Sequence, residues 1–177
     1  GAVATRVAYY AWATSGCKPL QEARLTTGMN ATDLAIAADD AGLKVGYREG
    51  DKAWNVELSR LGTPTQPVAV SDEFASVSTR FTTSLLPLKQ GRSLMAYGGA
   101  DGSIRLVLLG PAGTVLSETV SPPLAEGDQQ FEPDLAQRAD GRLFMAFAST
   151  WIDGDGLGVA MREVNMEGDE FKEFGPG

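Results

Sequence analysis

Apolar positions along this chain come in short, strand-length runs, each closed by a turn rich in glycine and aspartate. GRLFMAF at 141–147 nearly repeats GRSLMAY at 91–97, and GLKVGY at 42–47 is a looser copy of both. Tyr97 and Phe147 stand 50 positions apart, as do Gly91 and Gly141. No stretch sustains a helical period with caps. NATDLAIAADDAGL, 30–43, is Ala-rich and Asn30 or Thr32 could cap it, but its parallel with SLLPLKQG, which Pro87 interrupts, makes it a strand.

Aligned by their turns, the runs form units at approximately 1–28 (partial), 29–79, 80–130 and 131–177 of a single repeat domain. Each unit opens with a short strand and a Gly-containing hairpin turn: Asp40-Ala41-Gly42, Gln90-Gly91 or Asp140-Gly141. A strongly apolar strand follows, ending small-then-aromatic at Gly46-Tyr47, Ala96-Tyr97 and Ala146-Phe147; then come a variable loop and a third strand. The linking segments TPTQPVAVSDEFASVSTRF and SETVSPPLAEGDQQF can each supply a fourth, outer strand. Four antiparallel strands in each period of about 40–50 residues predict an all-β, β-propeller-type repeat of about three and a half blades. Strands crowd near a propeller axis, so Gly or Ala fits there while the next aromatic wedges between neighbouring blades.

Composition agrees with this picture and removes several functions. The 177 residues are enough for one well-buried core, and 21 glycines with 9 prolines fit many turns. A net charge of −8 without clustered Lys and Arg argues against nucleic acid and against anionic membrane surfaces, and no apolar run is long enough to span a bilayer. With no histidine and a lone Cys17, the chain lacks the usual zinc, copper and iron ligand sets, an intrachain disulfide, and Ser-His-Asp or Cys-His catalysis. The chain opens on Gly1 rather than Met, as expected of a processed chain or a piece of something longer.

The fourth unit carries a more specific signal. Pro133-Asp134-Leu135-Ala136, Ala139-Asp140-Gly141, Phe144-Met145-Ala146-Phe147, Asp153-Gly154, Gly156, Gly158-Val159, Arg162 and Gly168 follow one another over residues 133–168. This resembles the tandem repeats of large secreted bacterial proteins, of the type P-x-V-A-x-L-x-D-G-G-F-V-V-x-W followed by D-G-x-G-x-G. The resemblance implies an extracellular or surface propeller-like module. The other units depart from it: unit two lacks the Asp-Gly-x-Gly loop, and unit three has Leu108 about where Arg60 and Arg162 fall. Three complete units and part of a fourth make about half of a six- to eight-bladed ring. Another copy or another chain is then expected to complete it, unless the carboxyl-terminal DEFKEFGPG supplies the strand that the first unit lacks.

Candidate chemistry is sparse, and no pattern marks a catalytic residue. Asp153 and Asp155 in DGDGLG, 153–158, offer alternating carboxylates and glycines of the kind that wrap calcium. The helix-loop-helix calcium motif fails, since Val164 stands where its last glutamate belongs, and a solvated hairpin loop is the other reading. Calcium is the one candidate cofactor. Trp12, Trp54 and Trp151 fall in or beside the loop between second and third strands, where aromatics stack on sugars and anchor protein partners, or else cap blade surface. Asp33, Glu132 and Asp134 stand at unit starts, where propeller loops line the central face, and Arg24, Arg60 and Arg162 recur late in the units. A sialidase-like Asp-box is absent, and repetition accounts for the arginines. The sequence therefore predicts a secreted or cell-surface binding and assembly module for a glycan or surface protein. A propeller hydrolase completed by another segment and a purely structural subunit are the alternatives.

Overall fold

The computed structural model describes residues 6–13, 16–25, 31–50, 52–59, 63–71, 83–151 and 158–175. The turns predicted from Gly and Asp close a series of antiparallel sheets. β1 (Arg6–Ala13) pairs with β2 (Gly16–Arg24). β3 (Ala31–Ala38), β4 (Gly42–Glu49), β5 (Lys52–Ser59) and β6 (Val68–Ser71) make a four-stranded blade in chain order. β7 (Ser84–Pro87), β8 (Ser93–Gly98), β9 (Ile104–Leu109) and β10 (Val115–Val120) make the next. β11 (Gln130–Gln137), β12 (Leu143–Ser149) and β13 (Gly158–Val164) form a three-stranded blade. The Ala-rich segment at 31–38 is the strand β3, and outer strands β6 and β10 arise in the two linking segments.

At Gly42, where β4 begins, a Cβ would lie 2.0 Å from the Leu58 carbonyl oxygen, so only glycine lets β4 and β5 approach there.

The strand registers make the blades superimposable. Ala96 faces Leu106 and Ala146 faces Met161, while Gly46 faces Asn55. Successive side chains leave opposite faces of a strand. In β8, Leu94 and Ala96 therefore join the β12 side, packing with Leu135, Leu143, Met145 and Phe147, whereas Met95 and Tyr97 join Ala53 and Val70 of the preceding blade. Both faces of the 84–120 blade are thus covered, which is why β8 reads as an almost unbroken apolar run.

The aromatic slot occupies these joints. Tyr47, Tyr97 and Phe147 are 1%, 0% and 1% exposed and sit in three successive clusters. Tyr47 packs with Leu25, Val45, Val56 and Leu58, and its hydroxyl donates to the Leu25 carbonyl at 3.4 Å. Burial, helped by the Glu49 carboxylate, pushes this phenol up to about 12, keeping it a neutral donor.

The carboxyl-terminal residues do not pair with the first sheet. β14 (Met166–Glu167) and β15 (Glu170–Phe171) form their own small hairpin, Gly175 bridges back to Glu163, and Phe171 and Phe174 pack beneath the 84–164 joint. The clasp option for DEFKEFGPG is thereby corrected: among the described residues this segment pairs within itself and with Glu163, and its two phenylalanines pack half-buried on the core between the last two blades. No helix among the described residues is long and apolar enough to cross a membrane.

Candidate functional site

The innermost strands β3, β7 and β11 pack side by side, with β7 in the middle. Their amino-terminal ends mark one end of the molecule. Because neighbouring strands are antiparallel, the loops after β4, β8 and β12 emerge at that same end.

A bulge sits at the same place in β3 and β11. The register breaks between Thr32 and Ala35 in one and between Phe131 and Asp134 in the other. Asp33 and Glu132 occupy these bulges with φ of 55° and 54°, a left-handed backbone that non-glycine residues adopt only at a cost of about 1–2 kcal/mol. Two acids held this way at equivalent positions are the clearest outliers on the axial end. Their settings differ. Asp33 faces the Arg48 guanidinium at 3.4 Å and accepts from the Thr32 hydroxyl at 3.0 Å. Glu132 is exposed, and among the described residues it makes no hydrogen bond or ion pair. Between them, the Ser84 hydroxyl on β7 donates to Asp134 Oδ1 at 3.2 Å and accepts from the Leu135 amide at 3.0 Å, tying adjacent inner strands together.

A cavity of about 310 Å³ opens at this end between the last two blades, lined by Asp101, Ser103, Ser121, Pro122, Asp128 and Gln130 among others. Asp128 organises it. The Ser149 hydroxyl donates to Oδ1 at 2.6 Å, and the Leu124 amide and Gln130 Nε2 donate to Oδ2 at 2.9 and 3.0 Å. Burial raises the Asp128 pKa, but these donors together outweigh it and hold the carboxyl below its ordinary value. A carboxylate with a depressed folded-state pKa contributes stability that is present above the unfolded pKa near 4 and is lost as pH falls through the folded value. Asp128→Asn is therefore expected to flatten the acid limb of a melting-temperature profile between about pH 5 and 2. An unchanged limb would show that the donors do not favour the ionised form.

Arg162 closes the floor of this region. It is 9% exposed, donates to the Ser121 hydroxyl at 2.8 Å and to the Pro122 carbonyl, and stacks between the rings of Phe147 and Phe174 at 5.5 and 5.9 Å. By register its counterparts are Val56 and Val107, so the sequence alignment that set it level with Leu108 and Arg60 is off by one residue in the first case and by four in the second. Arg24 lies on β2, and Arg60 lies outside the described residues.

The three tryptophans separate. Trp54 lies within β5 opposite Tyr47 and packs half-buried on the Leu25–Tyr47 cluster. Trp151 follows β12 and is 56% exposed, its amide donating to the Ser149 hydroxyl that also binds Asp128. Trp12 lies on β1 opposite Cys17. Asp153 and Asp155, the candidate calcium ligands, lie outside the described residues, among which no three His, Cys, Asp or Glu side chains gather to hold a metal. Sequence reasoning missed Ser84, Asp101, Asp128 and Gln130. Their partners are local turns or residues on the next blade, and no motif joins them.

No family model matches the sequence, and no curated protein matches it. Solved structures do. A thermostable family-43 glycoside hydrolase aligns with a TM-score of 0.55 at 15% identity, over 94% of this chain and 70% of that one. The endo-1,4-β-xylanase of Bacteroides thetaiotaomicron VPI-5482 aligns with a TM-score of 0.52 at 16% identity, over 82% of this chain and 58% of that one. The fold is that of a β-propeller. Its sheets are left unclosed, as in part of a ring, and identities this low carry the fold alone.

Proposed function

We propose that this propeller acts on a polysaccharide at the end where its innermost strands begin, with Asp33 and Glu132 as the working pair of carboxyls. The observation that carries the reading is the shared bulge: two acids at equivalent positions of β3 and β11, each in a left-handed backbone. Glycoside cleavage asks for two carboxyl groups in unlike settings, one kept ionised and one free to give up a proton. Asp33 beside Arg48 and the exposed Glu132 stand in such unlike settings. Glycoside hydrolases among the similar structures, one of them a xylanase, support a plant-type polysaccharide as the first substrate to try, and an extracellular setting follows from a substrate of that size.

A second reading is a binding module without turnover, favoured by the exposed Trp151 ring beside the polar cavity. Soluble xylan separates the two when reducing-end release and calorimetric binding are measured together. Asp33→Asn and Glu132→Gln are each expected to lower release by roughly 100-fold or more, while Trp151→Ala leaves the rate per bound substrate unchanged. Binding without release, weakened by Trp151→Ala, establishes the module instead. Neither binding nor release overturns both.

A further inference from the structure

The registers permit a comparison of each blade face with its copies. Val159 and Met161 on β13 are 78% and 50% exposed. Their counterparts are Ile104 and Leu106 in the preceding blade and Ala53 and Asn55 in the one before, all 0% or 1% exposed. Phe144 on β12 likewise stands where Leu94 and Lys44 do, and these are 0% and 3% exposed against the half-buried Phe144. In the two earlier blades the face is covered by the second strand of the following blade, whose aromatic residue after the small one (Tyr97, Phe147) enters the joint. The last blade presents the Val159–Met161 row with no described blade over it, and its Phe144 ring is covered by the Arg142 guanidinium at 5.3 Å.

From this equivalence we infer that the β12–β13 face is a docking surface for a second copy of this chain, occupied by that copy's β1–β2 hairpin. The occupant must be a blade whose second strand carries the small-then-aromatic step. β1 meets that requirement. It pairs with β2 as β8 pairs with β9, and its sequence holds Ala8-Tyr9 and Ala11-Trp12. A chain's own hairpin does not fill the role among the described residues: Leu25, just after β2, packs on Tyr47 at the far side of the 31–71 blade, and Val159 is 78% exposed. Two copies joined head to tail at both ends form a closed two-fold ring, the symmetry under which such a heterologous contact terminates. The inference stands on burial and register and does not depend on the polysaccharide reading.

Light scattering between about 1 and 100 μM tests it. The wild-type chain is expected at twice 18.7 kDa. The double variant Val159→Glu/Met161→Glu is expected at 18.7 kDa with its circular dichroism kept, because both side chains are exposed in the single chain, and with a thermal midpoint that no longer rises with protein concentration as that of the wild type does. A photo-reactive side chain at Val159 should then cross-link into residues 6–24 of an isotopically distinct copy. A wild-type monomer, a dimer that survives the double variant, or cross-links that join 158–164 to 158–164 or to the same chain's hairpin would each overturn it.

Discussion

Phe147→Ala is expected to lower the unfolding free energy by about 3–5 kcal/mol, read as a shift of the urea midpoint at constant slope. The ring is 1% exposed and sits where the last two blades meet, against Leu94, Ala96, Ile104, Leu106 and Met145. Removing it leaves a cavity in a joint whose two walls are sheets, and sheets do not collapse into a void as a flexible loop would. It also strips one of the two rings between which the Arg162 guanidinium lies, at 5.5 Å. That guanidinium is part-buried, so the lost stacking adds roughly 0.5–1 kcal/mol. Phe144→Ala, three residues away on the opposite, open face, is the comparison: half-buried, it should cost no more than about half as much in the monomer. Equal losses at the two positions would mean that the aromatic step does not wedge the blades apart from the rest of the sheet.

A second large effect is expected where one blade departs from its copies. Leu94 faces Leu108 and Phe144 faces Glu163, but the equivalent pair in the 31–71 blade is Lys44 facing Glu57. The Lys44 ammonium is 3% exposed, bonded to the Glu57 carboxylate and, at 2.8 Å, to the carbonyl of Gly91 on the next blade. Glu57→Leu strands that charge with a single carbonyl partner, and a loss of about 3 kcal/mol is expected. The double change Lys44→Leu/Glu57→Leu restores the pairing found in the next blade. It should return stability to within about 1 kcal/mol of wild type or exceed it, because two apolar groups carry no desolvation cost. Chemical denaturation of the three proteins gives the coupling directly. A double variant as weak as the single one would show that the ion pair contributes register between the blades, beyond the filling of space.

Either variant probes the joints, and the joints are where sequence and structure part company. The small-then-aromatic step, the glycine turns and the repeat at 50 positions are local signals, and each fixes a strand or hairpin through the pleat and the turn alone. From them the all-β propeller character was legible, as was the strand at 31–38 that an Ala-rich composition could have disguised.

What the sequence could not carry lies between units. The bond from Ser84 to Asp134 spans 50 residues, and the Asp128 network joins a linking segment to the end of β12. No pattern within either segment announces its partner. Asp33 and Glu132 were visible as acids at unit starts, but that they share a bulge and a left-handed backbone is set by how β3 pairs with β4 and β11 with β12. Trp54 and Trp151 read alike in the sequence, yet one lies within a strand against a core and the other follows one, because a residue's burial depends on which blade comes to rest over it. The same holds for Val159 and Met161. By themselves they are apolar residues on a strand, and only the two covered copies of that strand identify their exposure as an unfilled joint. The sequence by itself determined the repeating unit, since that is encoded by neighbours in the chain. Which faces meet, which acids are strained and which face stays open were decided by tertiary structure, since those depend on contacts between blades a whole repeat apart.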